Sequence, residues 1–212
     1  MNVMLFLQNN NIYRYSINLY LIMKLKTIST LIIFTILFSS CVVHVSLGGL
    51  FGYQNKMVKA NPKIFYYLPD SSKYNDVIPS DSTKVVITNG FKIKESLKHY
   101  KNTLVYIWSP NCTHNCTSLT ILNKLCDSLN INLIIVAEYY DESKMSCNYS
   151  LKKPIVGIDT HYYKSKFTSK YLRGFLFDLT SQNIEFQSFL VFKVDEFINH
   201  SRTPNDALQF IL

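Results

Sequence analysis

Apolar runs and amphipathic segments alternate along the second half of the chain. The runs at 104–108 and 131–137 are apolar at all but one position, as expected of strands that are buried on both faces of a parallel sheet. The segment 112–129 between them carries leucines at helical spacing and predicts a helix. Strand, helix and strand in this order predict a right-handed βαβ unit, which indicates an α/β fold.

The flanking segments predict shorter elements. Aromatic residues four apart over 163–179 indicate a long helix, and Thr203-Pro204 opens a last helix with an N-cap and a proline in its first turn. The other predicted elements, in chain order, are strands at 63–68 and 85–88, a helix at 92–100, an irregular polar segment at 141–153, an extended piece at 154–159 and a hairpin of 189–194 with 197–200.

A short basic start and an apolar run near the N-terminus predict export. Met23-Lys-Leu-Lys26 is followed by the apolar run 28–38 and then by Ser39-Ser40-Cys41. This is the order of a secretory signal, and the run is shorter than the roughly 18–20 residues that a membrane-spanning helix needs. A cysteine after two small residues resembles the signal of bacterial lipoproteins, which implies a signal peptide over 23–40 and a lipid on Cys41. An uncleaved anchor is the alternative.

Residues 1–22 precede this signal and hold one arginine and no acidic residue. Because a signal normally begins at its own methionine, we interpret Met23 as the true start and 1–22 as a misassigned extension. In the alternative interpretation, 15–38 form one long membrane anchor. Lys24 and Lys26 would then lie near the middle of that anchor, where charges are costly in hydrocarbon.

Composition and charge narrow the class of protein. The glycine-containing residues 41–62 are predicted to form a tether, followed by one domain at 63–212 with its core at 84–212, and a hydrophobic content of 48% is enough for such a core. The net charge of +8 includes three positive charges before residue 41, so the remainder carries +5. This mildly basic surface has no lysine and arginine cluster, which argues against nucleic-acid binding.

Two cysteines follow the first buried run and are the strongest sign of chemistry. The sequence reads Trp108-Ser-Pro-Asn-Cys112-Thr-His-Asn-Cys116. If the predicted helix begins at Cys112, the partial positive charge of its N-terminus favours the thiolate, which is the reactive form. Cys116 would then be a resolving thiol, and a protonated His114 would lower the thiol pKa further. The alternatives are a structural disulfide, a solvent-facing histidine, or a metal held by these three residues without a clear fourth ligand.

The chain over 84–212 resembles the thioredoxin superfamily, and in detail the membrane-tethered thioredoxin-like lipoproteins of some Gram-negative bacteria. The resemblance is carried by the order of elements and by the Trp-x-x-x-Cys spacing that ends at Cys112. It implies a thioredoxin-like three-layer sandwich behind the N-terminal signal and tether, and thiol–disulfide exchange at the cysteine pair without an organic cofactor. It also implies a substrate groove, which is assigned to Trp108, Pro110, Gln187 and Ser188.

Three features depart from the pattern of that family. The cysteines bracket three residues where the family has two, which on a regular helix separates their Cα atoms by about 6 Å, within reach of a disulfide. Tyr106 stands six residues before Cys112, where the family has a buried acid. Gln187-Ser188 stands where the family has a cis-proline, and no proline occurs between Pro154 and Pro204.

The sequence therefore predicts a membrane-anchored thiol–disulfide oxidoreductase of the bacterial cell envelope, facing the periplasm. Its expected partners are protein thiols and disulfides or an envelope redox partner, together with the membrane through the lipid. The alternative is a thioredoxin-fold binding module in which Cys112 and Cys116 form a structural bond. Cys126 lies on the leucine stripe and is predicted to be a core residue, whereas Cys147 is either its disulfide partner or a free thiol.

Overall fold

A mixed sheet of seven strands is the centre of the part of the chain that the structure describes. The computed structural model describes residues 50–69, 72, 74, 84–111, 118–147 and 149–211. The strands are β1 Phe65–Tyr67, β2 Val85–Thr88, β3 Asn102–Trp108, β4 Asn132–Ala137, β5 Ile155–Ile158, β6 Phe189–Lys193 and β7 Glu196–Ser201. They pair in the order β1-β2-β5-β4-β3-β6-β7. The first five run parallel to one another, and β6 pairs antiparallel with both β3 and β7.

Helices cover both faces of the sheet. The described helices are α1 Gln54–Ala60, α2 Gly90–Leu97, α3 Leu119–Ser128, α4 Glu142–Met145, α5 Thr168–Thr180 and α6 Pro204–Leu208. Apolar side chains of α1, α3 and α6 join one buried cluster, and those of α2 and α5 join a second cluster on the opposite face. The α/β class predicted from the sequence is therefore confirmed.

Strand β3 lies near the middle of the sheet because it is apolar on both faces. Leu104, Tyr106 and Trp108 belong to the first cluster, whereas Val105 and Ile107 belong to the second. Side chains of a strand alternate between faces, so an uninterrupted apolar run supplies both clusters. The carboxyl end of β3, at Trp108, is thus fixed in the interior and leads directly into the segment that carries the cysteines.

The predicted extended piece at 154–159 is strand β5, which lies between β2 and β4. Gly157 makes this position possible, because a Cβ atom there would lie 2.6 Å from Oη of Tyr140. The Tyr140 hydroxyl instead donates to the carbonyl of Ile158 at 2.9 Å. Spacing along the chain predicts a strand here, but its place inside the sheet depends on this tertiary contact.

Helix α3 begins later than predicted. Ser118 has an extended backbone, with φ −61° and ψ 124°, and the helix starts at Leu119. The prediction of one continuous helix from Cys112 to residue 129 is therefore wrong at Ser118, and the leucine stripe that packs on the sheet also begins at Leu119. The N-terminus of α3 is therefore at Leu119, and residues 112–117, with the position of Cys112 relative to it, lie outside the described residues.

Helix α5 also begins later than the aromatic spacing predicts. Lys164 has a left-handed backbone with φ 49°, which interrupts the helical pattern before Thr168. The aromatic ring of Tyr163 still packs on α5, where it lies against Gly174. Its hydroxyl donates to Oδ2 of Asp178 at 2.8 Å and accepts a hydrogen bond from the backbone N–H of Gly90 at 2.9 Å.

Residues 50–62, predicted as part of a tether, differ from that prediction because they pack against the domain. Helix α1 places Met57 and Val58 against the first apolar cluster. Gln54 is buried, and its Oε1 accepts hydrogen bonds from the backbone N–H and the hydroxyl of Thr160, both at 2.6 Å. A glutamine that is satisfied by a partner 106 residues away gives no signal in the local sequence.

The N-terminal predictions lie outside the described residues. These are the extension 1–22, the signal at 23–40 and the lipidated Cys41, which precede residue 50, where the description begins. Within the described ranges, no helix has the length and apolar character needed to cross a bilayer.

Candidate active site at the carboxyl ends of β3 and β4

Strand β3 delivers a short, firmly held segment to the carboxyl edge of the sheet. The carbonyl of Trp108 accepts a hydrogen bond from the backbone N–H of Glu138 at 2.8 Å, which joins the ends of β3 and β4. Trp108 is 5% exposed and packs edge-on against Tyr149, with ring centroids 5.8 Å apart. Pro110 is buried. Two of the predicted groove residues are therefore part of the wall beneath the site.

The residues just before Cys112 are anchored by the loop after β4. The backbone N–H of Asn111 donates to Oη of Tyr139 at 2.9 Å, and Oγ of Ser109 lies 3.4 Å from the same atom. Burial acts to raise the pKa of Asp141, but hydrogen bonds from Ser143, the Asn111 side chain and the Lys144 backbone, together with the Lys144 charge, outweigh it and lower that pKa. Asp141 is thus a stable carboxylate that holds Asn111.

The loop after β4 is itself fixed by contacts from other parts of the fold. The hydroxyl of Tyr171 donates to the carbonyl of Glu138 at 2.5 Å. The backbone N–H of Tyr140 donates to the carbonyl of Gly52 at 3.1 Å, and its side chain reaches β5 as described above. The segment leading to Cys112 is therefore positioned by a rigid support.

Cys112, His114 and Cys116 lie in 112–117, outside the described residues. Their predicted roles as attacking thiol, tuning group and resolving thiol stay predictions, as does the metal alternative. Among the residues that the structure describes, no cluster of histidine, cysteine and acidic side chains is suited to a metal ion.

Glu138 is a candidate residue that the sequence analysis missed. It directly follows β4, and its side chain is half-buried. Burial raises the pKa of the Glu138 carboxyl, and a hydrogen bond from the Ser109 side chain partly offsets this effect. The sequence did contain a signal for Glu138, because it directly follows the predicted buried strand at 131–137. The carboxyl ends of neighbouring parallel strands lie at the same edge of the sheet, so an acid at this position lies near the end of β3. The site thus has a carboxyl group able to exchange a proton close to Ser109.

Tyr106, which stands at the position expected to carry an acid in the thioredoxin superfamily, has a packing role. Its ring stacks on that of Phe189, with centroids 4.5 Å apart and an angle of 4° between the planes. Burial raises the pKa of the Tyr106 hydroxyl above its ordinary value of 10.0. A neutral phenol held in this way does not accept a proton near pH 7.

Ser188 lies beside the end of β3, and its predicted role in a substrate groove, with that of Gln187, stays a prediction. The carbonyl of Ser188 accepts a hydrogen bond from the backbone N–H of Ile107 at 2.7 Å, and both Gln187 and Ser188 are half-buried. No cis peptide bond occurs among the described residues. The segment before β6 therefore approaches the site through an ordinary trans backbone.

A cavity of about 770 Å³ adjoins this site. Its lining includes Glu138, Leu50, Phe167, residues of α5 and the segment before β6. Leu50, Phe167 and Phe186 are each at least 47% exposed. Arg173 is the cationic side chain of this lining and is exposed. The volume falls in the range of sites that hold small ligands or side chains of a partner.

The two described cysteines are free thiols. Cys126 is buried on α3, where burial and the Asp127 charge raise its pKa to about 12. Cys147 is exposed, and its Sγ lies 3.1 Å from the carbonyl of Ser143. The prediction of a core role for Cys126 is confirmed, and Cys147 is the free thiol of the two alternatives.

In comparisons with known proteins, no family, no curated protein and no solved structure matches the chain.

Proposed function

We propose that this chain is a thiol–disulfide oxidoreductase of the thioredoxin superfamily, with Cys112 as the attacking thiol and Cys116 as the resolving thiol. The Cys112 thiolate attacks one sulfur of a substrate disulfide, forms a mixed disulfide and releases the other substrate sulfur as a thiolate. The Cys116 thiolate then attacks the Cys112 sulfur, so that the substrate leaves reduced and the chain carries the Cys112–Cys116 bond. The reverse sequence oxidises a dithiol.

The topology supports this proposal. From β2 onward the chain runs β2, α2, β3, α3, β4, α4, β5, α5, the hairpin of β6 and β7, and α6. Apart from α4 and β5, this is the order on which the resemblance rests. Strand β3 lies between parallel β4 and antiparallel β6, and helices cover both faces. Strand β5, between β2 and β4, is an insertion into that order.

The single observation that carries the proposal is the half-buried carboxyl of Glu138, bonded to Ser109 three residues before Cys112. Thiol–disulfide exchange requires a nearby group that accepts and returns protons, and such a group is effective when its pKa is shifted towards the working pH. Tyr106 does not supply this function. Glu138 is hydrogen-bonded to Ser109, and burial raises the pKa of its carboxyl. We assign Glu138 as the proton acceptor of the site.

The tether is a further part of the proposal. A lipid on Cys41 would hold the domain at a membrane of the bacterial envelope, facing the periplasm, where disulfides persist. Electrons would pass between the cysteine pair and a redox partner in the same compartment. Mass spectrometry of the mature N-terminus tests this part, because a lipidated Cys41 supports it and an intact Met1 contradicts it.

The second candidate function is a non-catalytic binding module with a structural Cys112–Cys116 bond. One observation favours it: Tyr106, which stands six residues before Cys112, is stacked in the core and supplies no acid. In this case the cavity beside Glu138 would hold a partner and the cysteines would only fix the loop.

The reduction potential of the Cys112–Cys116 pair separates the two candidates. A catalytic pair is expected above about −300 mV, whereas a lower value is typical of structural bonds. In parallel, Cys116→Ser is expected to accumulate a mixed disulfide with a disulfide-containing probe protein such as insulin. Cys147→Ser is the matched control and should behave as the wild type. A potential below about −300 mV with no trapped adduct would refute the catalytic proposal and leave a structural bond.

A further inference from the structure

A second, polar cleft lies at the opposite edge of the sheet from the candidate active site. It has a volume of about 400 Å³ and is formed by the amino ends of β3 and β4, the end of α3 and the residues before β5. Its lining includes three lysines and four asparagines. We call it the amino-end cleft.

Lys153 is the central cation of the amino-end cleft and is half-buried. Its Nζ donates to Oδ1 of Asn132 at 2.5 Å and lies 3.9 Å from the ring centroid of Tyr100. The Asn132 amide is held in turn by donating to Oγ1 of Thr103 at 3.0 Å. Both groups that contact the ammonium are neutral, and burial lowers the pKa of Lys153 to about 8.

The cleft contains more positive charge than its carboxylates can balance. Asp127 is already engaged, because its Oδ1 lies 2.8 Å from Nζ of Lys152 and its Oδ2 accepts from Asn123. Lys153 forms no ion pair within the part of the chain that the structure describes, and Lys101 adds a further cation to the lining. Desolvating an ammonium without a counter-charge is unfavourable. An anion that enters the cleft would supply the counter-charge that Lys153 lacks, and this favours its binding.

We propose that the amino-end cleft binds a small hydroxylated anion, of the class of sugar acids and sugar phosphates, with its charged group on Lys153. The charge of such a ligand supplies the missing counter-ion. Its hydroxyl groups suit the asparagine side chains, since an amide offers both a donor and an acceptor. The site is separate from the cysteine pair and does not depend on the redox proposal.

Binding is measured by calorimetry on the full-length chain in detergent at low ionic strength. The probes are glucuronate and glucose 6-phosphate, which distinguish a carboxylate from a phosphate, with uncharged glucose and inorganic phosphate as controls. Saturable binding of either sugar anion is expected, with glucose silent and inorganic phosphate weaker. Binding of inorganic phosphate as tight as that of the sugar anions would mean an adventitious ion only and would overturn the proposal.

Two variants test the position of the charged group. Lys153→Met keeps the hydrocarbon stem over Tyr100 but removes the charge, and is expected to weaken binding by roughly tenfold or more, as for loss of a charged hydrogen bond. Asn132→Asp has the same shape and places a carboxylate against Nζ, so it supplies the counter-charge internally and should weaken binding similarly. Lys59→Met, at an exposed position of α1, is the control.

The isosteric variant keeps the test decisive if Lys153→Met does not fold. Asn132→Asp retains an acceptor for Nζ, and the Thr103 hydroxyl is able to donate to the new carboxylate. Circular dichroism establishes that each variant is folded. Unchanged affinity in folded Asn132→Asp, or no saturable binding by either sugar anion in the wild type, would refute the proposed site.

Discussion

The backbone N–H of Asn111 donates to the hydroxyl of Tyr139 at 2.9 Å, and this bond fixes the residue that precedes Cys112. Tyr139 is 3% exposed and lies in the loop after β4. The position of the cysteine segment is therefore decided by the neighbouring strand as well as by β3 itself.

Tyr139→Phe is expected to loosen this segment without changing the core. Loss of one hydroxyl acceptor leaves the Asn111 N–H unpaired and should lower the free energy of unfolding by about 1 kcal/mol. If the redox proposal holds, mixed-disulfide formation at Cys112 should also slow. Stopped-flow measurements with a disulfide probe give this rate, and Tyr149→Phe, which loses an exposed bond to the Lys144 carbonyl, is the control. Equal rates in both variants would contradict the positioning role.

Glu138→Gln is expected to stabilise the protein at neutral pH. The pKa of Glu138 is raised on folding, so the folded state binds its proton more tightly than the unfolded state. That contribution is complete below the unfolded pKa of about 4.3 and is lost as pH rises through the raised value. A glutamine stays neutral, so the free energy of unfolding of the variant should rise relative to that of the wild type as pH rises through this window.

Urea unfolding at a series of pH values between pH 4 and pH 8 measures this difference. Glu95→Gln, at an exposed position of α2, is the control and should follow the wild type. A Glu138→Gln variant whose stability tracks the wild type at every pH would show that the carboxyl is not destabilised by burial. The same variant should have a lower rate of thiol–disulfide exchange if Glu138 accepts the proton.

Gly174→Ala is expected to destabilise α5, although alanine normally favours a helix over glycine by about 1 kcal/mol. A Cβ at this position would lie 2.7 Å from Cδ1 of Tyr163, whose hydroxyl is held by Asp178 and Gly90. The ring cannot shift without breaking these bonds, so a net loss of about 1–3 kcal/mol is expected. Thermal unfolding of Gly174→Ala and of the wild type shows whether the substitution lowers or raises stability.

A double-variant cycle separates this clash from helix propensity. In a Tyr163→Ala background the ring is absent, and Gly174→Ala should then stabilise the helix. Ser169→Ala, at an exposed position of the same helix, should be neutral or slightly stabilising in both backgrounds. Destabilisation by Gly174→Ala that persists without the ring would refute the proposed contact.

Cys126 and Cys147 are expected to differ strongly in reactivity. Cys147 is exposed, whereas Cys126 is buried with a pKa raised to about 12, and the thiolate is the form that is alkylated. In a Cys112→Ser, Cys116→Ser background at pH 8, iodoacetamide should modify Cys147 and spare Cys126 until the protein is unfolded. Peptide mass spectrometry assigns the modified residue, and rapid alkylation of Cys126 in the folded state would contradict its core position.

The strands were predictable because their apolar runs are long enough to exclude other interpretations. Strands β3 and β4 bury both faces, and this requirement is written directly into 104–108 and 131–137. The first residue of α3 was not predictable, because nothing in the polar sequence before Leu119 indicates where the helix begins. Leucine spacing alone locates the helix from Leu119 onward, which is where the structure begins it.

The residues that support the candidate site were not predicted from the sequence. Trp108 and Pro110 follow from the motif, whereas Tyr139 and Glu138 act through contacts with another strand. Gln54 is a stronger case, since its buried amide is satisfied by Thr160 across the fold. Such pairs are set by three-dimensional packing, which a single sequence does not encode in its local pattern.

Strand β5 has a consequence for how this domain can change over time. Because Tyr140 is anchored on Ile158 and needs the space above Gly157, the loop that positions the cysteine segment rests on β5. A descendant could not delete this strand, or place any side chain at residue 157, without first finding another anchor for that loop. Strand β5 is therefore tied to the candidate site, and the two are expected to be gained and lost together.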